Sequence, residues 1–232
     1  MAEVGRRKPG RWIEKGRFEA IDGILVSKFL DNGIQEKGIG FLKVLDLKGV
    51  AKPKPMLPQA LGQLFHLRLD RLEILKLRAS AGGEYPYILP TMMRFPNNKH
   101  LYMLYMEGIF LEKLLDVHDF PPNLTILTLI RCKLREYLFP TLEKLQNLQI
   151  LTLFGYSYIG KEMVCFFGGF QRLQFLKLWG LHKLETWKVE DEAMPSLRML
   201  ELAYCSHLKM IPDGLQYITT FQNIEVVPYN LS

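Results

Sequence analysis

Residues 124–129 read LTILTL, and this stretch decides the fold because the same arrangement of apolar side chains returns at a nearly fixed interval. The intervals between successive matches to L-x-x-L-x-L are 30, 29, 23, 24, 25, 24 and 24 residues. A period of roughly 20–29 residues is typical of leucine-rich repeats. Ile, Met, Phe or Val substitutes for Leu in some matches, which begin at Leu42, Leu72, Leu101, Leu124, Leu148, Leu173, Leu197 and, in degenerate form, Phe221.

Each six-residue run predicts a short strand whose alternate side chains point into a core, followed by a segment that returns the chain to the next parallel strand. One unit cannot close its own core, whereas stacked units bury a continuous column of leucines. We therefore predict an α/β solenoid of about eight repeats, a horseshoe with a parallel sheet on its concave side. Short helical or irregular segments are expected on the convex side, beginning at the apolar-proline pairs Leu57-Pro58, Leu89-Pro90, Phe139-Pro140 and Ile211-Pro212.

The repeats divide the chain into two parts. Residues 41–232 are predicted to form the leucine-rich-repeat domain, and residues 1–40 a basic, poorly ordered N-terminal segment or cap. Residues 1–17 carry six basic and two acidic side chains, which accounts for +4 of the total net charge of +6. A short basic terminus of this kind is typically solvated. We therefore expect no nucleic-acid partner.

Composition indicates the compartment. Apolar residues make up 48% of the chain, but no run approaches the length of a membrane helix, and the first twenty residues lack the apolar stretch of a signal peptide. The three cysteines are too few for a disulfide framework. These features predict a cytoplasmic location without stable membrane insertion.

One stretch has the spacing of a phosphate-binding loop. Gly155 and Gly160-Lys161 fit G-x-x-x-x-G-K, but Glu162 stands where a Ser or Thr would hold magnesium. The repeat register gives a simpler interpretation, in which Gly155 is the corner residue after a strand and corresponds to Gly49, Gly108 and Gly180. We therefore expect no nucleotide site.

The remaining reactive side chains are assigned structural roles. Cys132 and Cys205 each lie eight residues after the first Leu of their repeat, which is the Asn/Cys position of the repeat consensus. They are predicted to form a structural ladder, whereas Cys165 fits no column. The five histidines show no metal-ligand spacing, and no nucleophile has a neighbouring base. We expect neither a cofactor nor a metal, and no enzymatic activity.

The outward positions of the strands are more informative. The third, fifth and seventh residues of each repeat point away from the core, so the middle repeats present apolar and aromatic side chains together. Such a patch typically marks a docking surface, although a loop or a neighbouring domain could cover it. The predicted protein-binding concave face consists of Tyr105, Ile130, Phe154, Phe175, Lys177 and Trp179.

Several longer phrases carry a family resemblance. They are FLKVLDLKGV at 41–50, DFPPNLTILTLIRCKL at 119–134, PTLEKLQNLQILTLFGYSYIGKEMVC at 140–165 and GGFQRLQFLKLWGLHKLETWKVEDEAMPSLRMLELAYCSHLKMIPDGL at 168–215. Roughly residues 41–225 resemble the leucine-rich-repeat domain of plant disease resistance proteins of the coiled-coil nucleotide-binding class. The resemblance implies that the chain recognises a pathogen effector or a guarded host protein. It also implies autoinhibitory contact with a nucleotide-binding domain.

The chain departs from that family in its first 40 residues, which resemble neither a coiled-coil nor a nucleotide-binding domain. A truncated recognition module without its nucleotide-binding switch is therefore expected. The alternative is a substrate-recruiting adaptor of a ubiquitin ligase. That function needs an F-box-like helical segment, for which residues 1–40 are too short and too polar.

Overall fold

The computed structural model describes residues 17–20, 43–48, 71–79, 87–88, 98–110, 116–134 and 139–227. Its main element is a parallel sheet of nine strands. In sheet order the strands are β1 (Arg17–Ala20), β2 (Val44–Lys48), β3 (Ile74–Arg78), β5 (Met103–Glu107), β7 (Ile126–Ile130), β8 (Ile150–Phe154), β10 (Phe175–Trp179), β12 (Met199–Ala203) and β13 (Asn223–Val227). Because the sheet order follows the chain order, each repeat pairs only with its neighbours in sequence.

The predicted solenoid of parallel strands is confirmed. Each of the eight predicted repeat starts is followed two residues later by the first residue of a sheet strand, from Val44 in the first repeat to Asn223 in the last. The ninth strand, β1, was missed because its sequence RFEA contains no leucine pattern. It pairs in parallel with β2. It lies within residues 1–40, for which an N-terminal segment or cap remains a prediction.

The core is a set of stacked leucine columns. Within strands β3, β5, β7 and β10, exposure alternates so that the second and fourth residues are buried. In the six repeats that begin at Leu72, Leu101, Leu124, Leu148, Leu173 and Leu197, the first Leu is also buried, just before its strand. Described side chains with no more than 1% exposure in these columns are Leu45, Leu72, Leu75, Leu77, Leu101, Leu104, Met106, Leu124, Leu127, Leu129, Leu148, Leu151, Leu153, Leu173, Leu176, Leu178, Leu197 and Leu200.

The return segments contain both helical turns and short strands. Helix α1 (Phe139–Leu142) and two 3-10 turns (Val117–Asp119 and Asp213–Tyr217) lie there. Pro140 lies inside α1, and Pro212 directly precedes the second 3-10 turn, as predicted. Leu57-Pro58 and Leu89-Pro90 lie outside the described residues.

Two pairs of parallel strands in these segments were not predicted. β4 (Tyr87–Ile88) pairs with β6 (Ile109–Phe110), and β9 (Glu162–Cys165) pairs with β11 (Thr186–Val189). Four residues or fewer are too short for a strand signal that stands out from the surrounding sequence. Among the described residues, no helix is long and apolar enough to cross a membrane.

A side-chain ladder also joins adjacent repeats at the residue before the first Leu. In four repeats this residue donates a hydrogen bond to a backbone carbonyl of the preceding repeat, and so satisfies an acceptor that the turn would otherwise leave unpaired. The four bonds are Asn123 to Lys99 at 2.7 Å, Asn147 to Pro122 at 2.9 Å, Ser196 to Gln171 at 2.7 Å and Thr220 to Pro195 at 2.8 Å.

The leucine column generates a stability prediction. Leu151 is fully buried in β8, so Leu151→Ala should lower the free energy of unfolding by about 2–5 kcal/mol through lost burial and the cavity left behind. Thr152→Ala, one residue further on the opposite face of β8, should change it by less than about 0.5 kcal/mol. Equilibrium urea unfolding of both variants measures the difference. Equal losses would contradict the assignment of the two faces.

Candidate protein-binding face

The strand register brings most of the predicted site residues together. Ile130, Phe154 and Trp179 end the adjacent strands β7, β8 and β10, and their Cα atoms are paired across the sheet. Phe175 and Lys177 lie on the same face of β10 because they alternate with the buried Leu176 and Leu178. Five of the six predicted residues therefore share three adjacent strands.

Three aromatic side chains form a row along one edge of this face, and we call Phe154, Trp179 and Tyr204 the aromatic row. The ring centroids of Phe154 and Trp179 are 5.7 Å apart with the planes tilted by 32°. Tyr204 meets Trp179 edge-to-face, with centroids 5.9 Å apart and planes at 84°. Phe154 and Tyr204 are 39% and 42% exposed, so both ends of the row are open to a partner.

The sequence analysis missed Tyr204 because it lies directly after β12. The alternation of side chains along a strand does not predict where a side chain beyond its end will point. Its φ is +55°, and the equivalent corner residues Gly108, Arg131, Gly155 and Gly180 have φ values of +67°, +53°, +50° and +66°. The left-handed conformation costs a residue with a Cβ about 1–2 kcal/mol. A bulky Tyr at this corner is therefore held at a cost that glycine avoids.

The Tyr204 backbone links this corner to the last strand. Its N–H donates to the carbonyl of Val227 at 3.4 Å. The preceding corner is built in the same way, because the Gly180 N–H donates to Ala203 O at 2.9 Å. The backbone at the Tyr204 corner is thus tied to the position of β13.

Lys177 lies directly over the row. Its Nζ is 4.1 Å from the centroid of the Trp179 ring and forms an ion pair with Glu201 on β12. A cation over an indole ring is held by the ring quadrupole. The Nε1 donor of Trp179 is buried and has no hydrogen-bond acceptor among the residues that the structure describes. Lys177 and Glu201 therefore place one balanced charge pair beside the aromatic row.

An apolar column extends the face on its other side. The first residues of four adjacent strands are in register, and all are apolar: Ile126, Ile150, Phe175 and Met199. Thr128 and Thr152 lie between this column and the Ile130–Phe154 pair. The sheet therefore presents a continuous surface that is mainly apolar over strands β7, β8, β10 and β12.

Tyr105 belongs to a different part of the sheet. Its hydroxyl donates to Glu107 at 2.9 Å, and the Arg78 guanidinium lies 5.2 Å from its ring centroid. Burial, together with Glu107, raises the pKa of Tyr105 to about 12. Strand β7 separates Tyr105 from Phe154 in the sheet order. Tyr105 is thus part of a polar network, which sequence alone could not distinguish from the aromatic row.

Ion pairs extend that polar network across the first strands. Arg131 pairs with Glu107 at 2.5 Å, and Arg78 pairs with Asp46 at 3.1 Å. Asp46 is almost completely buried. These four charged side chains thus pair with one another, but Asp46 Oδ1 and Arg78 Nε are buried without a hydrogen-bond partner among the described residues. The apolar strands form the larger uncharged surface.

The cysteines at the repeat corners bond to the backbone. The Cys132 thiol is buried 3.5 Å from the Met106 carbonyl and 3.4 Å from the Ile130 carbonyl. The Cys205 thiol makes the same pair of contacts, at 3.6 Å to Leu178 and 3.5 Å to Ala203. Burial raises the pKa of Cys132 to about 12 and that of Cys205 above its usual value.

Cys165, which fitted no column, lies in β9 and is fully buried. Burial raises the pKa of its thiol to about 12, and the thiol packs near the indole of Trp187. A neutral thiol in such a place behaves as a small apolar side chain.

The stretch with phosphate-loop spacing has another geometry. Lys161 reaches Glu185 at 2.8 Å, and strand β9 begins directly after it, where a phosphate loop would lead into a helix. Gly155 lies at the corner of its repeat with a positive φ, like Gly108 and Gly180. Gly49 lies outside the described residues. Among the side chains that the structure describes, no three His, Cys, Asp or Glu residues are placed to hold a metal ion.

A parallel sheet with one strand per repeat and buried leucine columns defines a leucine-rich-repeat solenoid. No known protein-family profile matches the chain. Its sequence is similar to disease resistance proteins of Arabidopsis thaliana, one of them 40% identical over 169 residues. That match covers 68% of this chain and 19% of the relative.

Two further relatives match a shorter part. Disease resistance protein RPP8 is 40% identical and disease resistance RPP8-like protein 3 is 38% identical, each over 119 residues. Both matches cover 51% of this chain and 13% of the relative. The chain is therefore a leucine-rich-repeat region related to plant disease resistance proteins, and it spans a fifth of their length or less.

The buried thiols generate a reactivity prediction. A thiol with a pKa near 12 holds almost no thiolate at pH 8, so Cys132 and Cys165 should not react with Ellman's reagent in the folded chain. Both should react within minutes in guanidinium chloride. Cys205→Ser removes the one half-buried thiol and serves as the control. Rapid reaction of this folded variant would contradict the packing described here.

Proposed function

We propose that the chain is a non-enzymatic protein-recognition module of plant disease resistance, which binds its partner through the face formed by strands β7, β8, β10 and β12. The observation that carries the proposal is the aromatic row, with a left-handed Tyr204 at one end. Arg131 has the same left-handed conformation at the equivalent corner, so the conformation belongs to the repeat, and it is the exposed aromatic ring of Tyr204 that distinguishes this corner. The names of the sequence relatives supply the biological setting.

The geometry of the face favours a protein over a small ligand. Small molecules bind in concave pockets, whereas this surface is a row of side chains across adjacent strands. Trp and Tyr dominate the binding energy of protein interfaces when a partner removes them from water. Ile130, Phe154, Phe175, Lys177 and Trp179 are the proposed contacts, and Tyr204 joins them. Tyr105 is proposed at the rim, because its polar contacts are already made within the chain.

The proposed partner is a pathogen effector, a guarded host protein or the nucleotide-binding domain of a longer receptor. All three would place apolar side chains against the row and an acidic or neutral group near Lys177. With a nucleotide-binding domain as partner, the face would serve autoinhibition. The relatives are disease resistance proteins, and this favours the immune function over the ubiquitin-ligase adaptor.

Photo-crosslinking tests which side of the solenoid meets a partner. Benzoylphenylalanine is introduced at Phe154 in one purified chain and at Phe167 in another, and both are irradiated in extract of pathogen-infected Arabidopsis leaves. Phe167 is the matched control because it is 67% exposed but lies in a return segment after β9. Proteins crosslinked from position 154 and absent from position 167 are expected. The same proteins from both positions, or none from position 154, would refute the proposal.

Trp179→Ala should weaken the complex with such a partner by roughly 2 kcal/mol, which is about a thirtyfold loss of affinity. The reason is the loss of the central ring, which contacts Phe154, Lys177 and Tyr204. Calorimetric titration with the purified crosslinked protein measures the effect. Phe167→Ala is the control and should bind as the unsubstituted chain does. An affinity unchanged by Trp179→Ala would exclude the row as the binding surface.

The substitution Tyr204→Gly separates the effect of Tyr204 on stability from its effect on partner binding. Glycine relieves the left-handed strain by about 1 kcal/mol, while loss of the edge-to-face contact costs about 0.5–1.5 kcal/mol. The free energy of unfolding should therefore change by less than about 1 kcal/mol, whereas partner affinity falls. Urea unfolding and calorimetry test the two halves of this expectation. A large loss of stability would show that Tyr204 serves the fold.

A further inference from the structure

A groove crosses the return segments of three consecutive repeats. Its first half is a cavity of about 440 Å³ lined by side chains from residues 117–124 and 144–147. Its second half is a cavity of about 560 Å³ lined by side chains from residues 143–146 and 167–172. Lys144 and Gln146 line both cavities, so the two halves meet there. We call this surface the return-segment groove, and described repeats flank it on both sides.

The groove has apolar side chains at both ends. Phe120, Leu124 and Leu145 line the first cavity and are buried, so they form an apolar floor. Phe167 lines the second cavity and is 67% exposed. A large exposed aromatic ring beside a groove provides apolar area that a partner can remove from water.

The turn that carries Phe167 is held by both neighbouring repeats. The Phe167 N–H donates to the Glu190 carboxylate at 2.8 Å, and the Phe166 N–H donates to the Glu143 carboxylate at 3.2 Å. Within the turn, the Gly169 N–H donates to the Phe166 carbonyl at 2.9 Å. Because the backbone of the turn is already ordered, a partner that binds Phe167 loses little affinity to the ordering of this loop.

Two cations line the second cavity. Lys144 and Arg172 are exposed, and neither forms an ion pair with a described residue. Arg172 Nη1 donates to Asn147 Oδ1 at 2.9 Å, and Asn147 Nδ2 donates to the Pro122 carbonyl at 2.9 Å. These two bonds join all three return segments and hold the guanidinium at the groove. A guanidinium positioned in this way can bind a carboxylate through two parallel hydrogen bonds.

The carboxylates at the groove already accept hydrogen bonds from the chain. Glu143 accepts the Phe166 N–H, as described above. In the 3-10 turn beside the first cavity, Asp116 accepts the His118 N–H at 3.3 Å and Asp119 accepts the Asp116 N–H at 3.2 Å. The cations are therefore the groups that still lack an oppositely charged partner, and charge complementarity favours an acidic ligand.

We propose that the return-segment groove binds an extended segment of a partner protein in which an acidic residue lies beside an apolar one. The acidic side chain pairs with Arg172 and Lys144, and the apolar side chain packs against Phe167. Strands of adjacent repeats lie about 4.8 Å apart, so three return segments span roughly 10 Å, the length of about three or four extended residues. This surface is distinct from the aromatic row, and the proposal does not depend on the proposed function.

Peptide selection tests what the groove recognises. A random heptapeptide library displayed on phage is panned against the full 232-residue chain and depleted on the double variant Lys144→Gln/Arg172→Gln. Both side chains are exposed, so the double variant should keep the circular dichroism spectrum of the unsubstituted chain. The clones that survive depletion should carry Glu or Asp next to an apolar residue.

The most enriched peptide is then labelled with fluorescein and titrated with the chain, and binding is followed by fluorescence anisotropy. Arg172→Gln should weaken binding about tenfold because a charge-assisted pair is lost, and the loss should shrink as salt screens the charges. Phe167→Ser should weaken it about fivefold through lost apolar contact. Arg198→Gln is the matched control, since Arg198 is an exposed arginine of another repeat, and it should bind as the unsubstituted chain does. Trp179→Ala should also leave this affinity unchanged.

Four results would overturn the proposal. Selection that yields no clone dependent on Lys144 and Arg172, or only clones without acidic residues, would show that the groove does not recognise acidic segments. An affinity lowered by Trp179→Ala and unchanged by Arg172→Gln would place the peptide on the aromatic row. A dimer of the free chain in sedimentation equilibrium, abolished by Arg172→Gln, would show that a second copy occupies the groove. Complete displacement of the peptide by millimolar inorganic phosphate would identify a small anion as the ligand.

Discussion

The structure depends on the register of its parallel strands. Leu127, Leu151, Leu176 and Leu200 lie side by side in adjacent strands, and each is fully buried only because its neighbours lie above and below it. The same register aligns the residues that alternate with them. A single geometric constraint therefore builds the core and, on the opposite face, brings Ile130, Phe154 and Trp179 together. The hydrogen bonds from Asn123, Asn147, Ser196 and Thr220 hold the turns in the same order.

Much of this was predictable from the sequence because the leucine pattern is periodic. The first residue of each of the eight predicted strands follows from the repeat starts, and so does the outward direction of Phe154 and Trp179. Periodicity fixes what recurs in every repeat. It does not fix β4, β6, β9 and β11, which lie in return segments, or β1, which carries no leucine pattern.

The parts of the site that were missed depend on single contacts. Tyr204 follows its strand, and it joins the aromatic row only because a left-handed corner turns its ring toward Trp179. Tyr105 occupies an outward position like that of Lys177, yet its hydroxyl bonds to Glu107 and its ring faces Arg78. The repeat determines which positions point outward, whereas the contacts of Tyr204 and Tyr105 depend on which side chains happen to lie next to them. The face thus divides into a polar part, in which Arg78 pairs with Asp46 and Arg131 with Glu107, and an apolar part.

The hydrogen bond from the Tyr204 N–H to the Val227 carbonyl has a thermodynamic consequence. It joins the corner that completes the aromatic row to the last described strand. A ligand that orders Tyr204 would therefore also restrict β13, and its affinity would include a loss of conformational entropy outside the contact surface.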